Sequence, residues 1–311
     1  MRNWGARLRL DNALGSHRAL VLENETLRIT LLPGRGGDVA EFLHKPTDTD
    51  FCTFTARDLR RPEALAGLGF MDSYYGGWQE IFPSGGVACR YAGADLDQHA
   101  EVALLPWDVT VLRDDPDGVA VALEVRCLRT PLSLRRELRL GRREPLLEVR
   151  STALAHGPRP QPVMWGQHLA FGAPAVGPGA EIELPPDCRV VDYPGALPLE
   201  ELRSAPAPGD PSTVCYLTGF REGRYRLRDA RRPVGIQVRW DAGILPYLWC
   251  WREAGAGLEF PWYGQDWIIG LEPFSSYPTD GGLALAAEMG TTLILEPARP
   301  LTVEWSAQIV P

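Results

Sequence analysis

Lysine is almost missing from this chain: Lys45 is the only one in 311 residues, and arginine supplies the rest of the positive charge. We take that skew as a habit of the source and not as a functional signal. Even together, 32 cations face 40 acids, which gives a net charge of −8 and a pI near 5.3. A protein that grips a polyanion draws its affinity from clustered cations, so nucleic acid is not expected as a partner. The short basic runs Arg57–Pro62 and Ser133–Leu140 are diluted by acidic neighbours and read as solvated faces. No uninterrupted apolar run is long enough to cross a bilayer, and the opening MRNWGARLRLDN lacks an apolar core, so a cytoplasmic protein with no membrane partner is expected. The six cysteines (Cys52, Cys89, Cys127, Cys188, Cys215 and Cys250) form no CxxC and no ligand-like spacing to histidine. Neither a metal site nor a disulfide framework is therefore signalled.

Hydrophobic residues make up 45% of the chain and charged ones 23%, as in ordinary globular proteins. The length suits two small domains or one large β-architecture, and the patterning favours the second. Period-two alternation recurs at Arg18–Asn24, Thr26–Leu32, Trp107–Arg113, Gly118–Leu128, Leu132–Leu140 and Pro145–Ala155. It resumes at Pro233–Trp240, Pro246–Trp251, Trp267–Glu272, Thr291–Leu295 and Leu301–Val310. Such segments are half-buried strands. The turn signals Asp114–Gly118 and Leu140–Pro145 join neighbours as hairpins. Helical patterning is weak and confined to the neighbourhoods of Ala56–Leu68 and Gly281–Met289. The expectation is an all-β fold: one large antiparallel β-sandwich forming a single domain over residues 1–311, with less than roughly a fifth of it helical. The Pro/Gly-rich stretch from Ala173 to Asp210 reads as a long decorated loop within it.

Against this background a few polar groups interrupt apolar segments. In GGWQEIFPSGG (Gly76–Gly86), Gln79 and Glu80 stand beside Trp78 between glycine pairs, which suggests a binding loop. His99 precedes a strand, and His168 sits among apolar residues in WGQHLAFG (Trp165–Gly172). A lone histidine in such a place is usually a hydrogen-bonded core residue. Glu272 ends the run WIIGL and is held extended by Pro273. A carboxylate in those surroundings is partly desolvated, which raises its pKa towards a value useful to a general base. Five of the ten tryptophans (Trp240, Trp249, Trp251, Trp262 and Trp267) fall between positions 240 and 267. Their flat faces suit either a sugar ring or a sandwich core.

Taken in order, GGWQEIFPSGG, QHAEVALLPW, GQHLAFG and GLEP, preceded by ETLRITLLPGRGGDVAEF (Glu25–Phe42), resemble the aldose 1-epimerase (galactose mutarotase-like) superfamily. The likeness is greatest to its bacterial branch with a GGWxExFP loop, and it runs from about Glu25 to Val310. The resemblance implies a β-supersandwich that binds a monosaccharide and interconverts its anomers without a cofactor. It assigns Glu272 as general base, His168 as the acid at the ring oxygen and His99 as the second histidine. Trp78, Gln79, Glu80, Asp266, Arg239 and Trp251 are then the candidate substrate-binding residues; Arg239, like Arg252, would either meet hydroxyls or a phosphate or be a surface residue, since the alternation of Arg239–Glu253 allows both. The family's early arginine has no counterpart, because GGWQEIFP stands in its place. The sugar stays open, phosphorylated or not, as does a monomer or a homodimer. Two other functions fit the same fold: a non-catalytic carbohydrate-binding protein, and a carbohydrate-cleaving enzyme, which usually needs two carboxylates across a cleft.

Overall fold

The computed structural model describes residues 4–61 and 67–311. Strand makes up 48% of it, chiefly in two large antiparallel sheets, and helix only 7%. The longer sheet runs in the order Arg7–Leu14, His17–Glu23, Leu27–Leu32, Asp38–His44, Trp78–Ile81, Gly166–Phe171, Trp267–Phe274, Tyr247–Ala254, Thr213–Thr218 and Arg189–Val190, with Thr49–Asp50 beside Asp38–His44. The shorter sheet runs Glu181–Glu183, Gly223–Arg228, Gly235–Trp240, Leu301–Val310, Leu146–Ala155, Leu132–Gly141, Gly118–Arg126 and Asp108–Asp115. The expected hairpins are there: Asp115 pairs with Gly118, and Leu140 with Leu147.

Alternation explains the shorter sheet directly. Along Leu132–Gly141 every second residue is buried, and Leu132, Leu134, Leu138 and Leu140 face the other sheet. The central strands of the longer sheet behave differently: Trp78–Ile81 and Gly166–Phe171 are buried at every position. Both faces of that sheet are covered. The inward face meets the shorter sheet across Leu22, Phe42, Trp78, Trp165, Leu138 and Trp305. Over its outward face lies a second apolar cluster that includes Phe70, Ile81, Leu96, Trp249, Phe274 and Leu283.

Several expectations need amendment. The segment Trp78–Ile81 is a strand and not a loop, and strands outside the expected set include Arg7–Leu14, Asp38–His44, Thr213–Thr218 and Gly223–Arg228. The Ala173–Asp210 stretch supplies an edge strand to each sheet, Glu181–Glu183 and Arg189–Val190. The expected helix at Gly281–Met289 forms over Gly282–Glu288. Of the Ala56–Leu68 candidate, residues 62–66 lie outside the described residues and the remainder is turn and irregular chain. No described helix is long and apolar enough to cross a membrane.

Register then builds a row of side chains. Residues directly opposite one another on neighbouring strands share a face. Gln79 is opposite His168, the pairs Gly166–Phe274 and Ala170–Gly270 bracket His168 against Glu272, and Glu272 is opposite Trp249. The central polar residues of three different sequence segments thus share the outward face of one sheet.

Candidate active site

The inward face of the sheet takes up Trp78 and Glu80 of the GGWQEIFP segment. Trp78 packs against Phe42, Phe171 and Trp305 and donates its indole N–H to the Ala170 carbonyl at 3.0 Å. Glu80, fully buried, accepts from Trp165 Nε1 at 2.6 Å, Gln167 Nε2 at 2.9 Å and Ser151 Oγ at 3.1 Å, and lies 3.6 Å from the Arg136 guanidinium. Ser151 and Arg136 belong to the shorter sheet, so Glu80 ties the two sheets together through the core. A buried carboxylate needs this number of partners to be tolerated. Arg136, expected on a solvated face, is instead turned inward to meet it.

On the outward face the same strands carry a cleft of about 220 Å³. Glu272 and His168 meet at its base, Glu272 Oε1 being 3.7 Å from His168 Nε2, and the His99 ring is centred 5.4 Å from that of His168. All three are buried and all three line the cleft. Aromatic rings frame them: Tyr74 is 5.4 Å and Trp251 5.7 Å from the His168 ring, Phe70 is 4.6 Å from His99, and Trp262 packs 5.4 Å from Trp251. Glu272 can adopt this position because residue 270 is glycine. A Cβ there would overlap Glu272 Oε1 and press on the Trp251 ring.

Hydrogen bonding sets the state of His99. The Gly86 N–H donates to His99 Nδ1 at 3.2 Å, which leaves the proton on Nε2. The His99 backbone is held in the left-handed region at φ 53°, a conformation that costs energy in a residue with a side chain and is common at functional sites. Burial, with His168 nearby, pushes the pKa of His99 well below the usual histidine range, so it is a neutral donor. Desolvation acts on the other two in opposite senses. It raises Glu272 well above the usual carboxylate range and lowers His168 to about 4. Their mutual attraction opposes this, since opposite charges about 4 Å apart gain on the order of 4 kcal/mol at an effective dielectric constant near 20. Burial thus favours the neutral form of each group, while their mutual attraction favours the ion pair.

His99, His168, Glu272 and Trp251 come together as the sequence suggested; the other substrate-binding candidates do not line this cleft. Trp78 and Glu80 face the intersheet core, because in this register they fall on the opposite face from His168. Gln79 is on the right face, but its amide is turned to Asp38 Oδ2 at 3.2 Å and to the Gly76 carbonyl at 2.8 Å. Asp266 immediately precedes the strand that carries Glu272 and accepts from the Ala56 N–H at 2.7 Å. Arg239 belongs to the shorter sheet, where it is exposed and pairs with Glu222. Tyr74 and Phe70 line the cleft without having been singled out for it, whereas Trp249 and Trp262 come from the tryptophan group noted in the sequence. The signal for Tyr74 was present in the aromatic pair that runs straight into the glycines of YYGGWQE.

A family model described as a domain of unknown function, DUF4432, matches residues 15–309. No curated protein matches the chain. Among solved structures, the Slr1438 protein of Synechocystis sp. PCC 6803 is 21% identical with a TM-score of 0.69, 99% of each chain being covered. A galactose mutarotase-like protein of Clostridium acetobutylicum is 12% identical with a TM-score of 0.70, covering 98% of this chain and 99% of its own. A galactose mutarotase related enzyme of Lactobacillus acidophilus is 14% identical with a TM-score of 0.64, covering 94% and 97%. Identities this low speak for the fold alone, and that fold is the galactose mutarotase-like sandwich.

Proposed function

The chain belongs to the DUF4432 family, and we propose that it is an aldose 1-epimerase-like isomerase of the branch carrying the GGWxExFP loop. The observation that supports this most directly is the buried pair at 3.7 Å, one carboxyl and one imidazole at the base of an aromatic cleft. Mutarotation needs that inventory: one base, one acid and a surface for the C–H face of the ring.

In this reading the bound sugar completes the charge-separated form of the pair. Its anomeric O–H donates to the Glu272 carboxylate, and its ring oxygen accepts from protonated His168, which offsets the desolvation that opposed both charges. Glu272 takes the O1 proton as the O1–C1 π bond forms. The C1–O5 bond breaks and its electron pair takes the proton of His168. Rotation about C1–C2 presents the other face of the aldehyde, and the steps reverse. The His99 Nε2–H donates to the ring oxygen or an adjacent hydroxyl and holds the ring in register.

The test is anomer exchange by NMR with the purified protein across common aldoses. Exchange well above the uncatalysed rate for at least one sugar is expected, and its absence for all of them would overturn the assignment.

A further inference from the structure

Resting on that assignment, the walls of the cleft bear on which class of sugar it takes. Once Glu272, His168 and His99 are committed to O1 and O5, the surface left for the other substituents is mostly carbon, from Phe70, Met71, Val87, Val214, Trp251 and Trp262. The remaining polar side chains are few. Thr279 is engaged with Tyr216 at 2.7 Å and Asp280 at 3.2 Å, and Gln98 is half-buried. Tyr74 differs from both: it is 2% exposed, and its hydroxyl, buried, has no hydrogen-bond partner among the described residues. Among the described residues no lysine or arginine lines the cleft. Arg57 gives its guanidinium to the carbonyls of Met71 at 2.6 Å and Tyr74 at 3.3 Å.

These walls disfavour two kinds of sugar. A phosphate or carboxylate would be buried without a cation, the most costly arrangement for a charge. A fully hydroxylated hexose would bring four further hydroxyls, and each one buried without a partner weakens binding about 10-fold. A methyl group in place of the hydroxymethyl arm converts one such loss into apolar burial. The volume, below the roughly 300 Å³ where pockets for drug-sized ligands begin, suits a single ring.

We propose that the cleft selects an uncharged, hydroxyl-poor aldopyranose of the 6-deoxyhexose class, and that the Tyr74 hydroxyl is the specificity group that grips a buried ring hydroxyl. Trp249, Trp251 and Trp262 line the cleft and report occupancy through their fluorescence. Titration should show 6-deoxygalactose or 6-deoxymannose binding at least about 10-fold more tightly than the parent hexose, with the 6-phosphates and uronates weakest. Tyr74→Phe, which keeps the ring, should weaken the deoxysugar about 10-fold at an unchanged melting temperature. Equal or tighter binding of the hexose or a charged form overturns the selectivity, as does the absence of binding by any of them; unchanged binding by Tyr74→Phe overturns its role. Anomer exchange on the same samples separates the two readings. Tight deoxysugar binding without exchange for any sugar removes the epimerase assignment and keeps the selectivity, whereas exchange with a preference for the hexose does the reverse.

Discussion

Glu80 and Glu272 are both buried carboxylates of the longer sheet, on opposite faces of it, and their surroundings could hardly differ more. Glu80 takes three hydrogen bonds and faces a buried guanidinium. Among the described residues Glu272 accepts no hydrogen bond, and its ion-pair partner is His168 at 3.7 Å. Burial is common to both, so burial cannot be what marks a functional acid. The difference lies in who supplies the donors. On the inward face the protein does, and the group becomes a tie between sheets; on the outward face the protein supplies none among the described residues, and in the proposed function a ligand would supply them.

Substituting the two acids tests the contrast most severely. Glu272→Gln keeps the shape and removes the base, so turnover should fall by roughly 10²–10⁴ while sugar binding persists. Its effect on stability should have the opposite sign. A carboxyl whose folded pKa lies above its unfolded value loses stability as pH rises through the folded value. The variant's melting temperature should therefore gain on the parent's as pH increases. Glu80→Gln should do the reverse, losing about 3–5 kcal/mol of stability, because the buried Arg136 guanidinium loses its ion-pair partner and keeps only the more distant Asp38 as counter-charge. Its turnover per folded molecule should stay near the parent's. Should Glu80→Gln lose turnover at full stability, the division between the faces is wrong.

Gly270→Ala is a subtler disturbance of the outward face. The added methyl would occupy the space of Glu272 Oε1 and displace the carboxylate, and a misplacement of about 1 Å can cost up to 10²-fold in rate. Loss of turnover with sugar binding intact is expected. Parent-like kinetics would mean that Glu272 works from another position. The pH profile probes the same pair without substitution. Below about pH 4 His168 gains a proton, the pair then carries two and lacks a base, so kcat/KM should fall on that side. On the alkaline side it should fall where the last proton leaves, above the usual carboxylate range. An acid limb near 6.5, the ordinary histidine value, would show that water relieves the desolvation.

Much of the fold could be read from the sequence because alternation survives wherever one sheet face is apolar and the other wet, as along Leu132–Gly141. The strand Trp78–Ile81 escaped because both its faces are covered, which erases the period-two signal and leaves the flanking glycines to suggest a loop. The same erasure hid which of Trp78, Gln79 and Glu80 would face the cleft. That is decided by pairing with Gly166–Phe171, nearly ninety residues away. Glu272 and His168 stand out because each is a titratable group set in apolar surroundings, a property that is local in sequence, whereas His99, with Gln98 and Glu101 close by, is marked by its place before a strand and by the family resemblance. Their meeting in one cleft is not local, and neither is the tie between Arg136 and Glu80, which bridges two sheets.

The smallest effect is expected at Arg239, where the sequence allowed either a ligand contact or a surface charge. The side chain is 48% exposed on the shorter sheet, pairs with an exposed Glu222 and stands opposite Arg224 on the neighbouring strand. Such pairs are screened by solvent and salt, and their removal usually changes stability by no more than about 1 kcal/mol. Arg239→Ala should therefore leave turnover, sugar affinity and the melting temperature close to the parent's, with any shift in melting shrinking as salt is added. A marked loss of sugar affinity would carry more weight than its size suggests. It would mean that the solvent-facing side of the shorter sheet takes part in binding, and ligand recognition could no longer be confined to the face on which Glu272 waits for its donors.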